Sequence, residues 1–360
     1  MKYVYILLVA LLGISCISKK EKKGDGHDAF VFEKAQLYDN GELDKKLQVV
    51  FSYQALVGLE AEGDVTRRDP SDVIFANSQY YLWYTKTDKT FSGYDASIWY
   101  AVSKDGKKWE EKGEAIPRGD KGSWDAYSVF TPNVLKAKGK YYLFYTGVKP
   151  TPGNQESKFE NNSSNDITAL GLVVSNSPDG PFKRVSESPI LQISQDIDKF
   201  DSYRIDDACI VYRDAKYWLY YKGRSAKYGS DGPSHTKMGV AVSHNPEGPY
   251  VKYKNNPLTN GGHEVMVWPY DKGVMTMLSS HGEDGRTLQY AEDGVSFSIV
   301  GKFNNDYPKA PGAYRVDDFK GVPHQSKNIS WGISMHYGNR DQNIWPHLVR
   351  YEIKFSSRPK

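Results

Sequence analysis

The stretch that decides the fold reads Thr66-Arg67-Arg68-Asp69-Pro70-Ser71, and it leads into two strand-like runs, Val73-Ile74-Phe75 and Tyr80-Tyr81-Leu82-Trp83-Tyr84. A proline fixes its own φ and biases the residue before it toward an extended conformation. We therefore expect the Asp69 carboxylate to be held in an extended segment. The sequence thus places one fixed carboxylate, flanked by two arginines, at the mouth of the first of several repeated strand pairs.

An internal repeat begins at this point and runs to the end of the chain. Its first half is an apolar strand, a turn and an aromatic strand, and it recurs at residues 73–85, 133–146, 210–222 and, more weakly, 265–278. Its second half is a strand ending in Ser or Ala, followed by an Asp-Gly or Gly-Pro turn, at residues 98–106, 170–181, 238–249 and 287–294. A fifth unit fits residues 312–356.

Four strands per unit at a period of about 60–75 residues are typical of a propeller blade with long loops. The sequence therefore predicts an all-β fold, a five-bladed β-propeller. A two-sheet sandwich with repetitive hairpins is the alternative, but it does not account for four recurrences of the same two-part pattern.

The N-terminus has the pattern of an export signal. An apolar run from Tyr3 to Ile14 follows Lys2, is too short to span a bilayer, and ends in small residues before Cys16. We predict a lipoprotein-type signal peptide at 1–16 with lipidation at Cys16, a flexible tether at 17–27, an N-terminal lead-in segment at 28–65 and the propeller domain at 66–356. The protein is then exported, either periplasmic or anchored to the outer membrane by lipid, with plain secretion as the alternative.

The overall composition indicates a globular protein without a nucleic-acid partner. The chain has 360 residues, of which 39% are hydrophobic and 25% charged, so it is globular. The 47 basic and 44 acidic residues give a formal net charge of +3, too balanced for a nucleic-acid-binding surface. Most of the 27 Tyr and eight Trp reflect strand propensity and packing, and a minority could stack on sugar faces.

Polar clusters recur in front of the predicted innermost strand of each blade, where residues of a propeller converge near its axis. They lie at Asp69, 124–128, 203–208, 261–264 and 314–318. Taken singly, an Asp before a strand is often a turn cap, and we interpret Asp317 and Asp318 as turn or salt-bridge residues. The His, Asp and Glu residues could hold a divalent cation, but their spacing specifies no metal ligand, and we predict no required cofactor.

Four motifs stand in order along the chain: 67–71 (RRDPS), 124–133 (WDAYSVFTPN), 206–209 (DDAC) with 217–224 (YWLYYKGR), and 262–264 (GHE). Together they resemble glycoside hydrolase family 117, and the resemblance covers about residues 58–355. Members of that family are exo-acting α-1,3-L-neoagarooligosaccharide hydrolases, which release 3,6-anhydro-L-galactose from the non-reducing end of agar fragments. The resemblance therefore implies a role in agar degradation.

The resemblance also implies roles for individual residues in an inverting hydrolysis. Asp69 is the general base, His263 is the general acid with Glu264 beside it, and Asp207 or Asp206 orients groups and tunes protonation. A histidine with a pKa of about 6.5 needs a nearby carboxylate to stay protonated at neutral pH. The predicted substrate-binding residues are Arg67, Arg68, Trp124, Asp125, Tyr127, Ser128, Tyr203 and Arg224.

Two other functions remain open from the sequence. One is a glycosidase similar to family 43 that acts on arabinose- or xylose-containing glycans, with Glu264 as the acid. The other is a non-catalytic carbohydrate-binding propeller. Members of family 117 also form homodimers by exchanging an N-terminal helical segment, and residues 27–60 do not plainly show the motif of that segment.

Overall fold

The structure is a computed structural model that describes residues 47–92, 95–150, 166–279, 282–315 and 329–356. The predicted signal peptide, Cys16, the tether, most of the lead-in segment, Asp317 and Asp318 lie outside these residues. The described residues form 21 strands and two 3₁₀ segments, Ala226–His235 and Arg340–Gln342. No helix in the described ranges has the length and apolar character needed to cross a membrane.

The strands form five antiparallel sheets, one for each predicted blade. The strand β1 (Gln48–Ala55) precedes the first blade, which consists of β2 (Val65–Arg68), β3 (Ile74–Ala76), β4 (Gln79–Asp88), β5 (Ser97–Ser103) and β6 (Trp109–Ile116). The second blade consists of β7 (Ser128–Ala137), β8 (Lys140–Pro150), β9 (Asp166–Ser175) and β10 (Lys183–Arg184). The third consists of β11 (Arg204–Arg213), β12 (Lys216–Arg224), β13 (Lys237–Ser243) and β14 (Val251–Lys252).

The fourth and fifth blades repeat this order, and the last one also takes up β1. The fourth consists of β15 (Val265–Tyr270), β16 (Gly273–Leu278), β17 (Thr287–Ala291) and β18 (Ser298–Lys302). The fifth contains β19 (Lys309–Ala313), β20 (Trp331–His336) and β21 (His347–Ser356), with β1 paired to β21 from Gln48–Ser356 to Ala55–Val349. A strand from the N-terminal side of the chain thus completes the last sheet and closes the ring. The predicted all-β, five-bladed propeller is confirmed.

The hydrophobic core is divided among the interfaces between neighbouring blades. Five clusters of buried side chains each join two adjacent sheets: the first to the second, the second to the third, the third to the fourth, the fourth to the fifth, and the fifth back to the first. The aromatic strands of the repeat supply much of this packing, including Trp83, Tyr145 and Tyr221, all at most 1% exposed. Most of the aromatic content is therefore structural.

The prediction for the start of the fifth blade was wrong. We expected that blade to begin at residue 312, with the polar cluster 314–318 in front of its innermost strand. The innermost strand is instead Lys309–Ala313, so Tyr314 and Arg315 follow it. This strand, Lys-Ala-Pro-Gly-Ala, has no hydrophobic alternation that would mark it in the sequence. It is the last strand of its sheet, next to β20.

Candidate active site

Four of the five innermost strands are interrupted at the same level around the axis. Register shifts occur in β7 between Phe130 and Asn133, in β11 between Asp206 and Cys209, and in β19 between Lys309 and Gly312. In the first blade the interruption separates β2 from β3. Bulges of this kind redirect a side chain out of the alternation of the strand.

One residue with positive φ lies at each of these four interruptions. The values are 46° at Asp69, 48° at Thr131, 51° at Asp207 and 43° at Ala310. The expectation that Pro70 holds Asp69 in an extended conformation is therefore wrong. A proline also follows Thr131 and Ala310, so the local preference of a residue before proline is overridden at three of the four sites by the packing of five strands around one axis.

The interruptions surround a cavity on the axis. Every blade contributes a dipeptide to its wall: Asp69-Pro70, Thr131-Pro132, Asp207-Ala208, Glu264-Val265 and Ala310-Pro311, with Asn133 beside the second. Three carboxyl groups, from the first, third and fourth blades, therefore face a common space. Three of the five predicted polar clusters reach this cavity, through Asp69, Asp207 and Glu264. Asp207 lies within β11 rather than in front of it, and Asp69 lies between β2 and β3.

Asp69 is held by the arginine that precedes it. Arg68 Nε lies 2.8 Å from Asp69 Oδ2, and both side chains are buried. Arg68 also donates through Nη1 to the carbonyl of Ser92 at 2.6 Å. The guanidinium therefore fixes the orientation of the carboxylate at the cavity wall.

The two aspartates of the third blade differ in environment, although they are adjacent in sequence. Asp206 Oδ2 accepts from Arg204 Nε at 2.8 Å, and Asp206 Oδ1 lies 3.2 Å from Lys222 Nζ. Burial alone would raise the pKa of Asp206, but Lys222, Arg204 and Arg224 outweigh it and lower that pKa to about 2. Asp206 is therefore an ionised group that holds its cationic neighbours in place.

The pKa of Asp207, which faces the cavity, is shifted in the opposite direction. Burial raises its pKa, and Lys222, 2.6 Å from Oδ2, offsets only part of this effect because Asp206 and Asp69 repel the second charge. The resulting pKa is about 6. Asp206, Asp207 and the Lys222 ammonium form one buried unit. Within it Asp207, the residue that faces the cavity, has the higher pKa and keeps its proton more readily than Asp206.

Glu264 completes the set of acids at the cavity. Burial, followed by the charges of Asp207 and Asp69, raises its pKa well above the usual value, and Lys222 and Arg68 offset only part of this increase. His263 Nε2 lies 3.7 Å from Glu264 Oε1, and both side chains are largely buried. Glu264 is among the residues that line the cavity, whereas His263 is not.

The predicted substrate-binding residues fall into two groups. Arg68 and Arg224 lie close to the carboxyl cluster, since Arg68 pairs with Asp69 and Arg224 lowers the pKa of Asp206. Arg67 points elsewhere: its Nε lies 3.0 Å from Glu111 and its Nη2 lies 2.7 Å from Glu62. Tyr203 donates its backbone N–H to the carbonyl of Arg224 at 3.0 Å.

The residues of the second motif make structural contacts within the second blade and with the neighbouring first blade. Trp124 stacks on Tyr145, with ring centroids 5.8 Å apart. Asp125 is 1% exposed and accepts hydrogen bonds from Tyr145 and Arg184 at 2.8 Å each. Tyr127 packs with Phe130 and Val148, and Ser128 Oγ accepts from the backbone N–H of Ala96. None of these four predicted residues lies among those that line the axial cavity.

Several residues of the site were missed by the sequence reasoning. Thr131, Pro132, Ala310 and Pro311 line the cavity, and Lys222 joins both aspartates. The recurrence of a residue-Pro pair at Asp69-Pro70, Thr131-Pro132 and Ala310-Pro311 is a signal that was available. Lys222 has no comparable signal, because a lysine near the end of a strand is usually a solvated residue. In the described part of the chain, no three His, Cys, Asp or Glu side chains are grouped so as to hold a metal ion.

Comparisons with known proteins place this geometry among carbohydrate-active enzymes. The family model for glycosyl hydrolases family 43 matches residues 64–207. A solved family 117 glycoside hydrolase from the marine bacterium Zobellia galactanivorans is similar, with 28% identity, a TM-score of 0.73, and coverage of 87% of this chain and 92% of that one. A search of curated proteins found no match.

More distant structures share the fold. An endo-arabinase from Bacteroides thetaiotaomicron has 15% identity and a TM-score of 0.52, and the match covers 84% of this chain and 98% of that one. A family 32 β-fructofuranosidase from Bombyx mori has 11% identity and a TM-score of 0.56, over 90% of this chain and 65% of that one. At these identities the likeness concerns the five-bladed architecture alone.

Fold, site and comparisons together define the class of the protein: it is a glycoside hydrolase built on a five-bladed β-propeller. Within that class, the resemblance to family 117 that the four motifs predict is confirmed by the similarity to the Zobellia galactanivorans enzyme.

Proposed function

We propose that the protein is an exo-acting hydrolase that removes α-1,3-linked 3,6-anhydro-L-galactose from the non-reducing end of neoagarooligosaccharides, with inversion of configuration. The observation that carries this proposal is the set of three carboxyl groups that share one axial cavity, Asp69, Asp207 and Glu264. The similarity to a family 117 enzyme supports the choice of substrate.

In the proposed reaction, Asp69 takes a proton from a water molecule while the oxygen of that water attacks the anomeric carbon. Arg68 orients this carboxylate through the 2.8 Å contact. A group on the opposite side of the cavity gives a proton to the glycosidic oxygen as the bond to the leaving sugar breaks. Such a division between a base and an acid on either side of the sugar is the arrangement of inverting glycosidases.

We assign the acid role to the adjacent pair His263 and Glu264, with Glu264 as the donor that reaches the substrate. Two features support Glu264: it lines the cavity, and burial with its anionic neighbours raises its pKa, so that it keeps its proton to higher pH than an exposed glutamate. The resemblance to family 117 supports His263 instead. Asp207 is a better candidate than Asp206 for the carboxyl group that orients the other groups and tunes their protonation, because Asp206 is paired with Arg204 and Lys222.

Hydrolysis of arabinose- or xylose-containing glycans is the second candidate, and one observation favours it. The family 43 model matches residues 64–207, a range that includes both Asp69 and Asp207. Glu264 would then be the acid, as in our first assignment, so this candidate differs in the sugar bound and not in the placement of the carboxyl groups. A carbohydrate-binding propeller would need no acid and base facing one cavity.

A panel of oligosaccharides separates these candidates. Neoagarobiose, neoagarotetraose, arabino-oligosaccharides and xylo-oligosaccharides are each incubated with the purified protein, and the products are identified by chromatography. We expect release of 3,6-anhydro-L-galactose from the two neoagaro substrates alone. Release of pentoses without anhydrogalactose would overturn the agar assignment, and binding without release from any substrate would favour the binding propeller.

Three further proposals follow from the sequence and the resemblance. The protein is exported and anchored by lipid at Cys16, and it has no nucleic-acid partner. The resemblance to family 117 implies a homodimer, although residues 27–60 do not plainly show the motif of the exchanged segment. Radiolabelled palmitate incorporation that is lost in Cys16→Ser tests the anchor, and light scattering tests the dimer. A divalent cation in the pocket is tested by dialysis against a chelator, and we expect turnover to be unchanged.

A further inference from the structure

A buried polar network joins the five blades around the propeller axis and meets the cavity at Asn133. Its centre is the guanidinium of Arg315, whose Nε lies 2.7 Å from Asp72 Oδ2, with both side chains only 1% exposed. Nη1 donates to the carbonyl of Ile210 at 2.6 Å, and Nη2 donates to the carbonyl of Val267 at 2.8 Å and to Cys209 Sγ at 3.4 Å. One cation therefore binds the first, third and fourth blades together from its position just after β19, the innermost strand of the fifth.

Asp72 connects the remaining blades. Its Oδ1 accepts from the backbone N–H of Ala313 at 2.8 Å, and its Oδ2 accepts from Asn133 Nδ2 at 3.1 Å. Asn133 Oδ1 in turn accepts from the backbone N–H of Ile210 at 3.1 Å. All five innermost strands are therefore joined by side chains that lie on the axis.

Each contact is made a few residues after the dipeptide that lines the cavity. Asn133 directly follows Thr131-Pro132, and Cys209 directly follows Asp207-Ala208. Asp72 lies three residues after Asp69, and Val267 lies three after Glu264. A shift of the network therefore shifts the backbone that carries the three carboxyl groups of the cavity.

We propose that Arg315 is a positioning residue for the hydrolytic reaction: it acts as an internal cation that holds the five cavity dipeptides in place. The inference rests on the proposed function for the roles of Asp69 and Glu264. Guanidinium suits this position because its planar fork directs donors along several fixed directions at once, whereas the lysine ammonium is a compact point charge. Removal of either charge would leave the other buried without its partner.

The first test compares two isosteric substitutions, Asp72→Asn and Asp201→Asn. Asp201 is also a buried carboxylate paired with a cation, Lys252 at 2.6 Å, but it lies away from the axial cavity. Both variants should lose thermal stability. We expect only Asp72→Asn to lower kcat, by about 10²-fold with little change in KM, because a small misplacement of catalytic groups affects turnover more than binding.

Arg315→Lys and Arg315→Ala extend the test to the cation itself. Arg315→Lys keeps the charge but not the fork, and we expect it to lose kcat as Asp72→Asn does. Arg315→Ala leaves a space lined by Asp72 and two backbone carbonyls, and millimolar guanidinium, well below denaturing concentrations, should restore part of its kcat. Methylammonium, a point charge, should not. Turnover by Arg315→Lys and Asp72→Asn at the kcat of the unmodified protein would overturn the inference.

Asp69→Asn, measured in the same assay, separates the test of the proposed function from the test of the positioning role of Arg315. If Asp69→Asn still turns over substrate, the roles in the proposed function are wrong, and the positioning inference is overturned with them. If Asp69→Asn is inactive while the Arg315 and Asp72 variants are fully active, the proposed function stands and the positioning inference alone is overturned. Should the Arg315 variants fail to fold, Asp72→Asn against Asp201→Asn still decides the matter.

Discussion

Glu264 and Asp206 are both buried carboxyl groups, yet their pKa values shift in opposite directions. Asp206 contacts Arg204 and Lys222, and these cations hold its pKa at about 2 in spite of burial. Burial dominates at Glu264, and the nearby charges of Asp207 and Asp69 raise its pKa further. Asp206 is therefore a structural anion, whereas Glu264 keeps its proton to higher pH than an exposed glutamate, which is the property that acid catalysis requires.

Substitution of the two acid candidates tests this assignment. We expect Glu264→Gln to lower kcat by about 10²–10⁴-fold, because loss of a general acid removes that much acceleration. His263→Ala should lower kcat less, through the changed surroundings of its neighbour at 3.7 Å. Steady-state kinetics on the preferred substrate provide the measurement, and a larger loss in His263→Ala than in Glu264→Gln would return the acid role to His263.

The same glutamate predicts how stability depends on pH. Its pKa is higher in the folded protein than the value of 4.5 for an exposed glutamate, so the unfolded chain releases this proton first as pH rises. The contribution of Glu264 to stability is then present below the unfolded pKa and is lost as pH rises through the folded pKa. Because glutamine does not titrate, we expect the melting temperature of Glu264→Gln to exceed that of the unmodified protein increasingly as pH rises through this window.

Differential scanning calorimetry at a series of pH values measures this difference. The exposed Glu187 provides a control, and Glu187→Gln should leave the pH dependence unchanged. A difference between Glu264→Gln and the unmodified protein that shrinks as pH rises would mean that the pKa is lowered in the folded state.

At the residue scale, the sequence correctly predicted three acidic residues of the cavity, each of which stands within one of the recognised motifs. Asp69, Asp207 and Glu264 were all predicted, and all three face the cavity. Lys222 was not assigned a role, although it stands in a quoted motif, because nothing local distinguishes it from a surface lysine. Asp125 was predicted to bind substrate, but its contacts with Tyr145 and Arg184 appear only when two distant parts of the chain are packed.

At the scale of the elements, the interruption of the inner strand brings residues of a blade to the cavity wall. The interruptions place Asp69, Thr131, Asp207 and Ala310 at positive φ at one level of the axis. The repeat predicted the strands, because alternating and aromatic runs reflect local propensity and packing. It did not predict the bulges, because the proline rule indicates the opposite conformation and only the surrounding strands override it.

Ala310 and Ala313 provide a matched test of this strain within one strand. Ala310 has a φ of 43°, whereas Ala313 is not among the residues with positive φ. For a residue with a side chain, the left-handed conformation costs about 1–2 kcal/mol, and glycine avoids this cost. We therefore expect Ala310→Gly to be neutral or stabilising, and Ala313→Gly to be destabilising by about 0.5–1 kcal/mol, as for glycine within a strand.

Urea unfolding of the two glycine variants gives both free energies of unfolding. Equal destabilisation by both substitutions would show that the backbone at Ala310 is not strained. Because Ala310 lines the cavity, the comparison concerns stability alone.

At the scale of the whole molecule, the ring is closed by hydrogen bonds rather than by a covalent link. Strand β1 pairs with β21 along eight residues, and Phe51 from β1 packs edge to face on Phe303 with ring centroids 5.9 Å apart. Buried side chains from the fourth and fifth blades surround this contact. The last blade therefore depends on a segment from the opposite end of the chain.

Phe51 and Val50 are neighbours on β1 and test the closure directly. Phe51 is 9% exposed and Val50 is 62% exposed. Replacing a buried phenylalanine by alanine costs about 3–5 kcal/mol, so we expect Phe51→Ala to lower the free energy of unfolding by about this amount. Val50→Ala should stay within about 0.5 kcal/mol of the unmodified protein. If both variants unfold at the same urea concentration as the parent, β1 does not contribute to closure.

The closure also shows what the repeat pattern could predict for the whole chain. Four copies of the two-part pattern, with a fifth unit fitted to residues 312–356, predicted the correct number of blades. The start of the fifth blade was misplaced, because Lys309–Ala313 lacks the apolar alternation of the other inner strands. The axial network was not predicted, since Arg315, Asp72 and Asn133 lie far apart in sequence and meet only when the ring is complete.

The central claim is that the carboxyl groups gathered at the axis perform glycosidic hydrolysis, and the most direct measurement is the turnover of neoagarobiose by Asp69→Asn, followed by proton NMR. Asp88→Asn, an exposed substitution at the end of β4, is the control. We expect the parent and Asp88→Asn to release 3,6-anhydro-L-galactose at equal rates, and Asp69→Asn, folded by circular dichroism, to release none. Release by Asp69→Asn at the rate of the parent would contradict the account.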